Sequence, residues 1–140
     1  MTSSVIVDTG PLVAFFDPDE DDHEWAGAAL AQVRMPLLTC EAVLVEAAYL
    51  LRYSQVAQDR ILEWLGNGTI AIDFDLAEDS AAVRRLMKKY RDRPMSLADA
   101  CLVRMAEVRP DHAICTLDAD FRVYRRDGGG EIPLVIPDTR

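Results

Sequence analysis

Apolar residues fall into short unbroken runs that alternate with stretches of helical spacing. Val5-Ile6-Val7 is a β-branched run ended by Asp8 and followed by Thr9-Gly10-Pro11, which predicts a strand turning into a helix with Pro at its first position. From about Asp22 to Arg34, Trp25, Ala29, Leu30 and Val33 recur at helical spacing, behind acids that suit a helix N-terminus. Pro36-Leu37-Leu38-Thr39 predicts a second strand. From Glu41 to Tyr53 the chain is almost wholly apolar, which predicts a helix buried on most sides. Ile61, Leu62 and Leu65 mark a further helix closed by Gly66-Asn67-Gly68, and Ile70-Ala71-Ile72 a third strand. Asp75 with Glu78 has capping-box form and starts a helix reaching a basic end near Arg91, before Pro94. Ser96 to Val108 is the next helix and Ala113 to Leu117 an apolar strand that ends at Asp118. Asp127-Gly128-Gly129-Gly130 is a turn, and Ile132 to Ile136 the last strand.

This alternation predicts an α/β fold, a mostly parallel central sheet of four to five strands flanked by helices on both faces. At 140 residues and 50% hydrophobic composition, with no repeat, low-complexity tract or linker, one domain over residues 1–140 is expected. No apolar stretch approaches the roughly eighteen residues of a membrane span, and no basic region precedes a long apolar one near the N-terminus. The cytoplasm is the default expectation. Cys40, Cys101 and Cys115 are far apart among apolar neighbours, without zinc-site spacing, and read as reduced, buried thiols.

Four acids interrupt or end apolar runs. An unpartnered carboxylate there costs several kcal/mol, so each needs a hydrogen-bond donor, a proton or a cation. Glu46 lies mid-helix in Ala42-Val43-Leu44-Val45-Glu46-Ala47-Ala48-Tyr49, and its neighbours three and four residues away include no cation. A distant Arg or a stripe that reaches solvent would also satisfy it. Asp99 sits in Leu97-Ala98-Asp99-Ala100-Cys101, where Ser96-x-x-Asp99 also fits a capping box. Asp8 and Asp118 end strands; either could cap a following helix, but in an open parallel sheet both face the crevice outside the strands' carboxyl ends.

Four carboxylates gathered in one crevice repel one another unless protons or a cation intervene. A hard divalent ion resolves the conflict, and magnesium prefers oxygen ligands and binds through a few carboxylates together with substrate phosphates. Other chemistries fit less well. There is no nucleophile elbow and no P-loop; His23 reads as a solvated residue near a helix start and His112 as structural. The net charge of -9 opposes nucleic-acid binding at first sight. The cations are clustered, however: Arg84, Arg85, Lys88, Lys89, Arg91 and Arg93 crowd one segment, and Arg122, Arg125 and Arg126 form a second. Asp17, Asp19, Glu20, Asp21 and Asp22 gather near the N-terminus.

Val7-Asp8-Thr9-Gly10-Pro11-Leu12, Glu46 in its apolar helix, Leu97-Ala98-Asp99-Ala100 and Thr116-Leu117-Asp118-Ala119-Asp120-Phe121, in that order across essentially the whole chain, resemble the PIN-domain ribonuclease family, especially its VapC-type toxins. The resemblance implies a PIN-like three-layer sandwich in which Asp8, Glu46, Asp99 and Asp118 hold magnesium, with manganese a possible substitute. Asp120 would be a secondary ligand or water-positioning residue, and Thr9 and Thr116 would line the pocket. It further implies hydrolysis of RNA by a metal-activated water, leaving a 5′-phosphate and a 3′-hydroxyl, a homodimer, and an antitoxin protein whose segment occupies the groove. The basic clusters would grip RNA phosphates or be solvated helix faces.

Three rival readings separate by chemistry. A catalytically weak PIN fold used as a binding module would keep the sheet and dimer yet cleave little, and an RNA-processing nuclease would need no antitoxin. A phosphoacceptor α/β domain needs a Lys at a separate strand end, whereas the only lysines are Lys88 and Lys89, adjacent in a predicted helix.

Overall fold

The computed structural model describes residues 4–140. The elements follow as β1 (Ile6–Val7), α1 (Thr9–Phe16), α2 (His23–Ala31), β2 (Leu37–Thr39), α3 (Glu41–Leu50), α4 (Gln55–Gly66), β3 (Ile70–Ile72), α5 (Ser80–Lys89), α6 (Leu97–Val108), β4 (Ile114–Cys115), a 3-10 turn at Ala119–Arg122, and β5 (Leu134–Val135). The strands form one sheet in the order β3-β2-β1-β4-β5. Every neighbouring pair is parallel, with Ile6 opposite Leu38 on one side and Ile114 on the other. This five-stranded sheet flanked by six helices is the expected α/β architecture.

The order places the site. From β1 the chain steps outward to β2 and β3, then crosses back to put β4 and β5 on the other flank. The direction of winding therefore reverses between β1 and β4, and a crevice opens outside the carboxyl ends of those two strands. Their strand residues Ile6, Val7, Ile114 and Cys115 are wholly buried, as are Phe121 and Tyr124 just beyond. Gly10 lets the two strand ends approach: a β-carbon there would lie 3.3 Å from Leu117 Cβ. The three cysteines are free and buried, as expected, and among the described residues no helix is long and apolar enough to cross a membrane.

Three local expectations change. Helix α1 begins at Thr9, because the Asp8 side chain accepts a hydrogen bond from Thr9 N and starts the helix there. Pro11 is thus its third residue, which costs nothing since first-turn N–H groups have no partner within the helix. Helix α5 begins at Ser80, five residues after Asp75. Asp75 does accept a hydrogen bond from Glu78 N, but it closes a turn that precedes the helix. Helix α3 is not buried on most sides: Val43 and Ala47 face the core, while Val45 and Tyr49 are 71% and 61% exposed. Its outward stripe is itself apolar, so the sequence shows no polar face to mark the solvent side.

Candidate active site

Asp8, Glu46, Asp99 and Asp118 come from four separate elements, and all line a single open crevice of about 590 Å³ at the point where the winding reverses. Asp8, 7% exposed, forms its floor. One carboxylate oxygen accepts from Thr9 N at 2.7 Å and the other from Thr116 Oγ1 at 2.7 Å. Thr116, fully buried, accepts in turn from Asp118 N at 3.0 Å. One threonine hydroxyl therefore ties the end of β1 to the end of β4 and fixes two acids relative to each other.

The alternatives open at Asp8, Asp99 and Asp118 prove compatible, because each side chain caps an element and faces the crevice as well. Asp118 accepts from Asp120 N at 2.9 Å and starts the 3-10 turn. Asp99 and Ser96 form a reciprocal capping box at the start of α6, with Asp99 N donating to Ser96 Oγ at 3.0 Å and Ser96 N donating to Asp99 Oδ2 at 3.2 Å. The caps lock the carboxylates in orientation and leave lone pairs for a ligand. Glu46, exposed on α3, faces them from across the crevice.

The electrostatics tie the group together. Burial pushes the Asp8 carboxyl up to about 6, helped by the charges of Asp99 and Asp118 and opposed by its hydrogen bonds from Thr116 and Thr9. Asp99 is also raised, by burial first and then by Asp118 and Glu46. No arginine or lysine relieves this strain. Among the described residues, Arg104 pairs with Asp79 and Glu107, Arg109 with Asp73, Arg125 with Glu131 and Arg140 with Asp22, and none reaches a crevice acid. A neighbouring hollow lined by Asp73, Asp75, Glu78 and Asp79 is the contrast: Arg109 and Arg104 already neutralise two of its acids.

Asp120 does not line the crevice. It is half-buried in the 3-10 turn that Asp118 caps, and with Asp99 and Asp118 it helps raise the phenol of Tyr124, a shift whose chief cause is burial. Glu20, from the loop between α1 and α2, does line the crevice. Sequence reasoning missed it because the residue sits in a run of five acids with no apolar setting to single it out. Thr9 lines the crevice as expected, and its buried hydroxyl has no hydrogen-bond partner among the described residues. His23, half-buried at the start of α2, contacts Ala14 O through Nδ1 at 2.7 Å and so serves to dock α2 on α1.

The donor set offers only carboxylate and hydroxyl oxygens, the choice of a hard cation. Among the described residues no three His, Cys, Asp or Glu side chains are drawn tightly enough together to enclose an ion unaided.

Comparison with known proteins bears on the same chain length. The PIN domain family profile matches residues 5–127. The chain is 29% identical over 134 residues to Ribonuclease VapC26 of Mycobacterium tuberculosis, an alignment that covers 94% of this chain and 99% of the relative. The crystal structure of Mycobacterium tuberculosis VapC20, described as a sarcin-ricin loop cleaving toxin, matches with a TM-score of 0.76 at 20% identity, covering 93% of this chain and 99% of that one.

Proposed function

The chain belongs to the PIN-domain family, and from that premise we propose that it is a metal-dependent endoribonuclease, the toxin of a toxin–antitoxin pair, using magnesium or, in its place, manganese. The observation that carries this reading is the convergence of Asp8, Glu46, Asp99 and Asp118 on one crevice, with no cation among the described residues paired to them. The names of the relatives, a ribonuclease and a sarcin-ricin loop cleaving toxin, support RNA as the substrate class.

A divalent ion held by these carboxylates supplies an activated water and stabilises charge on the attacked phosphate. The protein supplies the frame. Thr116 holds Asp8 and Asp118 in fixed relation, Ser96 orients Asp99, and Glu46 brings charge from the opposite wall. Burial of Asp8 at the floor limits the screening of its own charge by bulk water. A homodimer belongs to the same reading, since Val45, Tyr49, Tyr53, Val56 and Leu62 expose an apolar strip along α3 and α4 that a second copy would cover. Sedimentation as a 15.6 kDa monomer would remove that part.

The test is cleavage of total cellular RNA with the ends mapped. Cleavage is expected with magnesium, lost on chelation and restored by added magnesium, leaving 5′-phosphate ends. Cleavage that persists through chelation would overturn the metal role, and no cleavage under any condition would overturn the nuclease reading. Growth arrest on expression, relieved by a neighbouring gene product, tests the toxin assignment.

A further inference from the structure

The two basic clusters look alike in sequence and differ in the structure. Each arginine of the second is spent on the fold: Arg122 Nε donates to Arg140 O at 3.1 Å, Arg125 caps the 3-10 turn by donating to Arg122 O at 2.6 Å, and Arg126 donates to Pro110 O at 2.7 Å. The first cluster has no such employment. Among the described residues, the side chains of Arg84, Arg85, Lys88, Lys89, Arg91 and Arg93 form no ion pair or hydrogen bond, and all six residues are exposed. Lys89 only lies over the Tyr90 ring.

Four of these cations line a groove of about 540 Å³ that Glu107 and Asp127 also line. Glu107 adds little repulsion there, because it accepts from Arg104 NH1 at 3.4 Å and from Asp127 N at 2.6 Å, and its side chain is 8% exposed. The groove also has a definite place relative to the crevice. Helices α5 and α6 pack against each other, and α6 carries Asp99 in its first turn and Glu107 in its last. At 1.5 Å per residue, Glu107 of the groove lies about 12 Å along α6 from Asp99 of the crevice. Arg93 stands in the connection between the helices, near enough to Tyr124 to act on its phenol together with Asp99 and Asp118.

We propose that the groove along α5, walled by Arg85, Lys88, Lys89 and Arg91, is a second RNA-binding site that holds the phosphates of the strand flanking the bond cleaved in the acidic crevice. This rests on the nuclease reading for its purpose but not for its binding. A row of exposed cations running from the second half of α5 into the turn that follows it suits a polyanion backbone better than one small anion, which would need converging buried donors. It also explains how a chain of net charge -9 holds RNA: attraction is applied beside the acids instead of at them.

The test uses Lys88→Gln, Lys89→Gln and Arg91→Gln together, in the full chain carrying Glu46→Gln so that binding is read without cleavage. With a labelled single-stranded RNA, affinity is expected to fall roughly ten-fold or more, and the slope of log affinity against log salt to flatten by about 2 for three lost phosphate contacts. In the cleaving parent the same three changes should raise KM for long RNA and leave kcat within about two-fold. Unchanged RNA affinity and slope would overturn the proposal. So would loss of polyglutamate binding with RNA binding intact, which would assign the groove to an acidic protein segment. Should the triple variant fold poorly, Lys88→Ala with Lys89→Ala carries the same expectation with a slope change of about 1. Groove-dependent RNA binding by a protein that never cleaves RNA would sink the nuclease reading and leave this one standing.

Discussion

Glu46→Gln is expected to lower RNA cleavage by at least about 100-fold while leaving the fold unchanged, the size of loss seen when one preorganised charge is removed from a site. The substitution keeps the shape of the side chain and removes only its charge. Glu46 is exposed on α3 and makes no hydrogen bond or ion pair among the described residues. A surface change of that kind moves stability by no more than about 0.5 kcal/mol. The direction of any shift is predictable: Glu46 helps hold the Asp99 carboxyl above its ordinary range, so neutralising it relieves repulsion and stabilises slightly. Loss of activity with unchanged or higher Tm is therefore the signature of a residue retained for function.

The matched control is Glu41→Gln. Glu41 is also exposed on α3 but does not line the crevice, and its substitution should leave cleavage at the parent rate. If Glu46→Gln cleaves as well as the parent, the crevice acids are not acting as a set and the weak binding-module reading gains. If both variants lose activity, the effect belongs to the charge of α3 as a whole and says nothing of the crevice.

How far such a site can be read from sequence depends on whether context makes the residue costly. Glu46 stands out because an uninterrupted apolar stretch surrounds it. Asp8 and Asp118 stand out because they end apolar strands, and the reversal of winding between β1 and β4 brings them together. Asp99 was ambiguous for a physical reason: the capping box and the crevice use the same carboxylate, so local sequence could not show that it does both. Glu20 was invisible, since a loop acid among other acids bears no desolvation cost that its neighbours do not share. The outward stripe of α3 was misjudged because its exposed residues are apolar. The two arginine-rich clusters could be told apart only by their hydrogen bonds, which depend on carbonyls distant in sequence, such as Pro110 O for Arg126.

The stability of the metal-free protein should fall as pH rises through the range in which Asp8 ionises, and magnesium should reverse the fall. In the unfolded chain Asp8 loses its proton near 3.8, whereas in the folded protein it keeps it to about 6. Between those values the folded state binds more protons than the unfolded state, so stability declines with pH. Below the lower value the two states are both protonated and the cost is absent; above about 6 it is complete, at about 3 kcal/mol. Asp8→Asn isolates this contribution. Its stability relative to the parent, from urea unfolding with chelator present, should climb by about 2 kcal/mol between pH 4.5 and 7, because about 1 kcal/mol of the cost is already present at pH 4.5. The gain is reduced by a mismatch: Thr116 Oγ1 already accepts from Asp118 N, so its own proton loses the acceptor that Asp8 provided. Added magnesium should stabilise the parent at pH 7, do much less at pH 5 where protons compete for the same oxygen, and barely affect Asp8→Asn. Thr116→Val extends the argument, since loss of a bond that lowers the Asp8 pKa should move the acid limb of cleavage to higher pH. A parent whose stability relative to Asp8→Asn is flat across this range would show that Asp8 is not held protonated by its burial. Equal stabilisation by magnesium at pH 5 and pH 7 would place the ion elsewhere.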